Sequence, residues 1–160
     1  MNKNRGMFLE KIINITIENY WISNYAFIEK KGLPIVFSSI KERNNKLELQ
    51  NAKLSKKSTV DYIGMFKGKF VCFEAKSCNI ERFDFKNIKQ HQLDYLNLID
   101  RNGGIAFVII FFATQNMFFK VKVRSLNKWI KQGLNSVSLD EIKSESELLY
   151  LEFPGILNLL

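Results

Sequence analysis

Asp61, Glu74 and Lys76 are the residues whose types and spacing point most directly to chemistry in this 160-residue chain. They lie at the far ends of two runs rich in β-formers, residues 59–66 and 69–76, joined by Lys67-Gly68. That dipeptide is the strongest short-range hairpin signal in the sequence. A two-residue loop there pairs Phe66 with Lys69, which sets Asp61 opposite Glu74 and Thr59 opposite Lys76. Side chains alternate faces along a strand, so these four residues share one face. Directly opposed Cβ atoms stand about 4.5–5.5 Å apart. Two carboxylates at that spacing repel unless a cation lies between them. The register asks for a metal.

Two alternatives stand beside that reading. A three-residue loop with a glycine bulge relieves Lys67 of a positive φ, but it shifts pairing by one and parts the carboxylates. An ion pair of Lys76 with either acid accounts for the same residues without a metal. If the metal reading holds, the arrangement suits phosphodiester cleavage. Paired carboxylates hold Mg²⁺, a hard ion that takes oxygen ligands and keeps several waters. The ion polarises a phosphate and activates a water. Lys76 on the same face can stabilise charge on the reacting phosphate, and Thr59 can add a hydroxyl to the shell or its surroundings.

The elements that must position these residues can be read on either side. Leu9, Ile12, Ile13, Thr16, Ile17 and Tyr20 recur at three- and four-residue steps, predicting a first helix. Glu10 falls early in it and reads as an acid complementing the helix dipole. Residues 25–31 predict a short strand ending in Lys30-Lys31. Residues 32–57 carry Lys41, Arg43, Lys46, Lys53, Lys56 and Lys57, with a turn signal at Asn44-Asn45. They predict a basic, half-solvated hairpin or arm suited to gripping nucleic acid. Ile63, Met65, Phe70 and Cys72 share the carboxylate face of the central hairpin, and Val60 with Tyr62, Val71 and Phe73 takes the other. Both faces are mostly apolar, so both are covered. Residues 77–85 read as a loop. Ile88, Gln92, Tyr95, Leu96 and Ile99 mark a helix stopped at Asn102-Gly103-Gly104. Gln92 sits on its apolar stripe, where an amide needs a partner; His91 beside it reads as structural or surface. Ile105–Phe112 predicts a buried strand with residues 117–123 returning as a hairpin. Ser125 reads as the cap of a short helix, and Ser138 with Glu141 as the capping box of another. The apolar tail, residues 147–160, must pack on the body or on a second subunit. The fold class is therefore α/β, one domain with a central mixed sheet flanked by helices.

Composition narrows the functions. A net charge of +8 points to an anionic partner, nucleic acid before membrane. Two cysteines are too few for a zinc site or a disulfide framework, so a reducing, cytoplasmic setting is expected. No apolar run is long enough to span a bilayer, and the first residues lack a secretory signal.

Several motifs in order carry a resemblance across nearly the whole chain. They are Asn4-Arg5-Gly6-Met7 with Glu10, Lys30-Lys31, Ser58-Thr59-Val60-Asp61-Tyr62, Phe73-Glu74-Ala75-Lys76, His91-Gln92, and Gly104-Ile105 with Phe107-Val108-Ile109-Ile110. The sequence resembles the RecU-type Holliday junction resolvases of the PD-(D/E)xK nuclease superfamily. The resemblance implies a restriction-endonuclease-like fold over residues 1–160, with residues 32–57 as a protruding stalk. It implies a magnesium-dependent homodimer, with Mn²⁺ able to substitute, that nicks four-way DNA junctions in recombination and repair. Recombinase and branch-migration proteins come with it as further partners. By the same resemblance the metal shell is Thr59, Asp61, Glu74 and Gln92, and Lys76 stabilises the transition state. Glu10 and Arg5 lie near the site, Glu10 among the catalytic candidates. DNA contacts fall to Arg5, Lys30, Lys31 and the arm's Lys41, Arg43, Lys46, Lys53, Lys56 and Lys57. One departure is Val60, where the superfamily signature has proline before the aspartate. Two other functions compete: a nucleic-acid-binding protein that holds junctions without cutting, and a nuclease acting on ordinary duplex.

Overall fold

The computed structural model describes residues 3–56 and 59–160, the side chains of residues 3–5 excepted. Helix α1 (Lys3–Ile22) turns Leu9, Ile12, Ile13, Thr16 and Tyr20 inward at the spacing read from the sequence. Strand β1 (Phe27–Lys30) follows. Residues 32–56 then form β2 (Ile35–Val36), β3 (Ser39–Arg43), β4 (Lys46–Gln50) and β5 (Lys53–Leu54). β3 pairs with β4 and β2 with β5, in two short ladders outside the main sheet. Asn44 and Asn45, both at positive φ, close the β3–β4 turn, as two-residue hairpin loops require. The register places Lys41, Arg43, Lys46 and Glu48 on one face and Ile40, Glu42, Leu47 and Leu49 on the other. Every one of those residues is exposed.

The central hairpin joins β6 (Tyr62–Phe66) to β7 (Lys69–Cys78). Lys67 and Gly68 form the two-residue loop, at φ 47° and 76°. Phe66 pairs with Lys69 and the register runs on to Tyr62 opposite Phe73. The bulged loop is thereby excluded. The stretch read as a loop instead carries the end of β7, strand β8 (Arg82–Asp84) and the start of a 3₁₀ turn (Phe85–Asn87). Helix α2 (Gln90–Arg101) crosses to β9 (Ile105–Phe112), and β10 (Met117–Lys122) returns beside it. Helix α3 (Val123–Lys131), β11 (Ser136–Ser138), α4 (Leu139–Glu145), β12 (Glu147–Leu149), β13 (Leu151–Glu152) and β14 (Ile156–Leu157) complete the chain.

Six strands form the main sheet, in the order β1-β6-β7-β9-β10-β12. Only β7 and β9 run parallel, and that pair needs the long crossover that α2 supplies. Alternation sorts the core into two layers. Val71, Phe73, Phe107 and Ile109 pack with Leu9 and Ile13 of α1. Cys72, Ala106, Val108 and Ile110 pack with Leu96 of α2 and Leu126 and Trp129 of α3. Cover on both faces explains why residues 105–112 read as an unbroken apolar run. At Gly64 a Cβ would overlap the carbonyl oxygen of Phe27, so only glycine lets β1 approach β6.

Two local expectations are corrected. Helix α3 starts at Val123, with Lys122 before it, so Ser125 is inside the helix and its hydroxyl reaches Glu145 O. With Val123 buried, the helix starts nearly one turn earlier than the serine signal. Helix α1 begins at Lys3, so Glu10 lies beyond its first turn and does not serve as a dipole partner. The tail does pack on the body. Thr16 Oγ1 accepts from Leu157 N, and Tyr20 Oη donates to Leu157 O while accepting from Leu159 N. No described helix is long and apolar enough to cross a membrane.

Candidate active site

The hydrogen-bonded ladder of β6 and β7 stops at Tyr62–Phe73, one pair short of the acids. Side chains take over where the ladder ends. Asp61 N donates to Glu74 Oε2 at 3.1 Å, and Ala75 N donates to Asp61 Oδ2 at 3.2 Å. Asp61 O accepts from Lys31 N at 2.7 Å, which ties it to the end of β1. Asp61 and Glu74 are thus brought together as the register predicts, but by carboxylate bonds to main-chain amides. The departure from regular strand also corrects Val60. It is buried with Cys72 and Leu96 on the α2 side, the side the carboxylates face, because alternation fails once the ladder is lost.

Glu74 is fully buried. Its Oε1 accepts from Lys76 Nζ and from Gln92 Nε2, each at 2.6 Å. Burial pushes its carboxyl up from 4.5 to about 7, the Asp61 charge adds to the rise, and Lys76 opposes it. Three donors thus leave the acid still short of compensation. Gln92 has found the partners its position demands: its Oε1 accepts from Lys89 N at 2.8 Å while its amide nitrogen serves Glu74. The amide nitrogen, and not the oxygen, faces the acid pair. To offer oxygen to a metal, the amide must turn over and give up the bond to Lys89.

Lys30 and Lys31 separate. Lys30 Nζ pairs with Glu10 Oε2 at 2.7 Å, where both side chains are nearly half exposed. Lys31 Nζ donates to Thr59 Oγ1 at 2.6 Å. It also stands 5.7 Å from the centre of the Tyr95 ring on α2, a contact no sequence signal had picked out. The spacing of Gln92 and Tyr95, three residues apart, puts both on one face of α2, but nothing local ties that face to Lys31. Thr59 therefore meets Lys31 and not Lys76, the partner that strict hairpin pairing gave it. Tyr62, paired with Lys30 across β1 and β6, is fully buried. Burial raises its phenol, with the charges of Glu10, Asp61 and Glu74 adding to the effect. Lys41, Arg43, Lys46, Lys53 and Lys56 lie exposed on the arm. Lys57, Ser58 and the side chain of Arg5 lie outside the described residues.

Among the described residues no three His, Cys, Asp or Glu gather as a metal cluster. The residues expected to form a metal shell offer two carboxylates, a hydroxyl and an amide. That set fits a hard ion that keeps waters, and not zinc, which favours nitrogen and sulfur. Glu74 is a buried acid beside a second acid, and a divalent cation relieves that conflict directly. Cys72 and Cys78 are free thiols, each pushed up to about 12 by burial, which makes them poor nucleophiles and ligands.

The family model described as Recombination protein U matches residues 4–160. The Holliday junction resolvase RecU of Mycoplasmopsis pulmonis is 38% identical over 160 residues, covering 100% of this chain and 94% of that protein. That of Ureaplasma parvum is 35% identical over 158 residues, covering 98% and 90%. Among solved structures, Archaeoglobus fulgidus Hjc, a Holliday junction resolvase, superposes with a TM-score of 0.52 at 9% identity, covering 90% of this chain and 91% of Hjc. That likeness establishes the restriction-endonuclease-like fold. By the full-length match to the model and to these relatives, the chain belongs to the Recombination protein U family.

Proposed function

We propose that this protein is a magnesium-dependent endonuclease that cuts four-way DNA junctions as a homodimer. The observation that carries the reading is Glu74, fully buried yet set against Asp61 with Lys76 at 2.6 Å. Such a cluster is costly to keep unless it serves an ion. The names of the relatives supply the substrate class.

Asp61 and Glu74 would hold Mg²⁺, or Mn²⁺ in its place, with Thr59 and Gln92 completing the protein's ligands. Bound there, the ion supplies positive charge to the scissile phosphate and lowers the pKa of a water. Lys76 offers its ammonium to the phosphate oxygens as their charge develops. Glu10 fixes Lys30, so it acts on the site through that cation. Lys30, Lys31, Arg5 and the arm's Lys41, Arg43, Lys46, Lys53, Lys56 and Lys57 contact DNA phosphates. Residues 1–160 act as one nuclease domain, with residues 32–57 its inserted stalk. Two symmetric nicks need two sites in fixed relation. The exposed apolar residues Leu33, Val36, Phe37, Ile40 and Leu47 of that stalk suit contact with a second copy. Two free cysteines support a cytoplasmic setting, where recombinase and branch-migration proteins are the partners to test.

The test is cleavage of a synthetic four-way junction beside linear duplex, in Mg²⁺ and in EDTA. Paired nicks confined to the junction and lost in EDTA are expected. Equal cutting of linear duplex would refute the junction substrate, and tight junction binding without cutting under any metal would refute the enzyme.

A further inference from the structure

Helix α2 touches both halves of the site. Gln92 reaches Glu74 through its amide. One turn later Tyr95 presents its half-buried ring to the ammonium of Lys31 at 5.7 Å, within the range of a cation–π contact. Lys31 is bound to the other half twice. Its main-chain N–H donates to Asp61 O, and its ammonium donates to Thr59 Oγ1. Those two bonds straddle Val60, which is itself buried in the α2 layer. An ammonium has three donors. With one on Thr59 and one side against the ring, Lys31 keeps a donor for a phosphate oxygen beside Asp61.

We propose that Tyr95 is a positioning residue whose ring holds the Lys31 ammonium against Thr59 and towards the DNA phosphate. The inference rests on the nuclease reading above and deepens it. Helix α2 then sets the two cations of the site from one face: Lys76 through the Glu74–Gln92 bond, and Lys31 through the Tyr95 ring. A flexible lysine stem left without the ring would sample other rotamers, and Thr59 would lose its fixed donor. The proposal gives this work to the ring and not to the phenol, because it is the ring that Lys31 meets.

Single-turnover cleavage of a four-way junction tests this with Tyr95→Leu, Tyr95→Phe, Lys31→Met and the double variant Lys31→Met/Tyr95→Leu. Loss of the ring is expected to slow cleavage about tenfold, the scale of one partly desolvated cation–π contact. Tyr95→Phe restores the rate, and Tyr95→Leu adds nothing once Lys31 is Met. A second measurement does not depend on activity. Ring currents should displace the Lys31 ε-methylene resonance in the wild type and in Tyr95→Phe, and release it in Tyr95→Leu. A displaced resonance in a protein that cuts no junction would refute the nuclease reading and leave the positioning intact. The positioning is overturned if the resonance is the same in wild type and Tyr95→Leu. Equal slowing by Tyr95→Leu with and without Lys31 would also overturn it, because the ring would then act by packing alone.

Discussion

Replacing Glu74 with glutamine should stabilise the metal-free protein at alkaline pH. The buried carboxyl is raised from 4.5 to about 7 in the folded chain, chiefly by burial. The folded state therefore binds this proton more tightly than the unfolded state does. Stability from this group is fully present below about pH 4.5 and is lost as pH rises through about 7. At pH 8 the charged acid costs on the order of 3 kcal/mol relative to its neutral form. Glutamine mimics that neutral form: its oxygen still accepts from Lys76 and Gln92, while its amide nitrogen, in place of Oε2, gives up the bond from Asp61 N and can donate to the Asp61 carboxylate. In EDTA at pH 8, Glu74→Gln should melt higher than wild type, by roughly 6–12 °C for a domain of this size. The gap should close towards pH 4.5. Mg²⁺ should then raise the wild-type midpoint and leave the variant unmoved. Thermal melts followed by circular dichroism across pH 4.5–8.5 read all of this. A variant that melts below wild type at pH 8 in EDTA would refute the reasoning, as would parallel pH curves.

The same carboxyl should shape the cutting rate. At fixed low Mg²⁺, cleavage should fall as pH drops through about 7 and Glu74 takes up its proton; a tenfold higher Mg²⁺ should move the fall to lower pH. Junction binding should be strongly salt-dependent, and changing Lys41, Arg43 and Lys46 together to alanine should lessen the slope of log K against log salt by about 2–3, as measured by anisotropy titrations. Tyr20→Phe strips a hydroxyl that serves both Leu157 O and Leu159 N. It should cost about 1–3 kcal/mol of stability by urea unfolding and expose the tail to carboxypeptidase.

Much of the fold was legible because its signals are local. Lys67-Gly68 and Asn44-Asn45 are turn dipeptides whose backbone demands fix the hairpins around them. The 3.6-residue stripe of α1 and the unbroken run of β9 report burial on one face and on two. What local rules could not give is what happens where a ladder ends. Alternation assigned Val60 to the α1 side and Thr59 to Lys76. Both assignments failed because Asp61 and Glu74 bond main-chain amides in place of the next ladder pair. Glu10 departs from its expectation for a different reason: the helix already runs from Lys3, so the acid sits more than a turn inside it. The pairing of the acids survived because it needed only the turn and the register. The contacts of Lys31 and Tyr95 join β1 to α2, residues 64 positions apart in sequence, and no spacing rule spans that distance.

The central claim is that Asp61 and Glu74 hold the ion that makes a junction-binding protein cut. Asp61→Asn tests it most directly, with binding and nicking of one labelled four-way junction followed in the same Mg²⁺ reaction. Asparagine keeps the side-chain oxygen that accepts from Ala75 N and removes only the charge. Junction affinity within about threefold of wild type, with nicking abolished, is the expected result. An Asp61→Asn protein that nicks the junction at the wild-type rate would contradict the claim. The acids would then be a structural cluster, and the cutting would have to come from elsewhere on the chain.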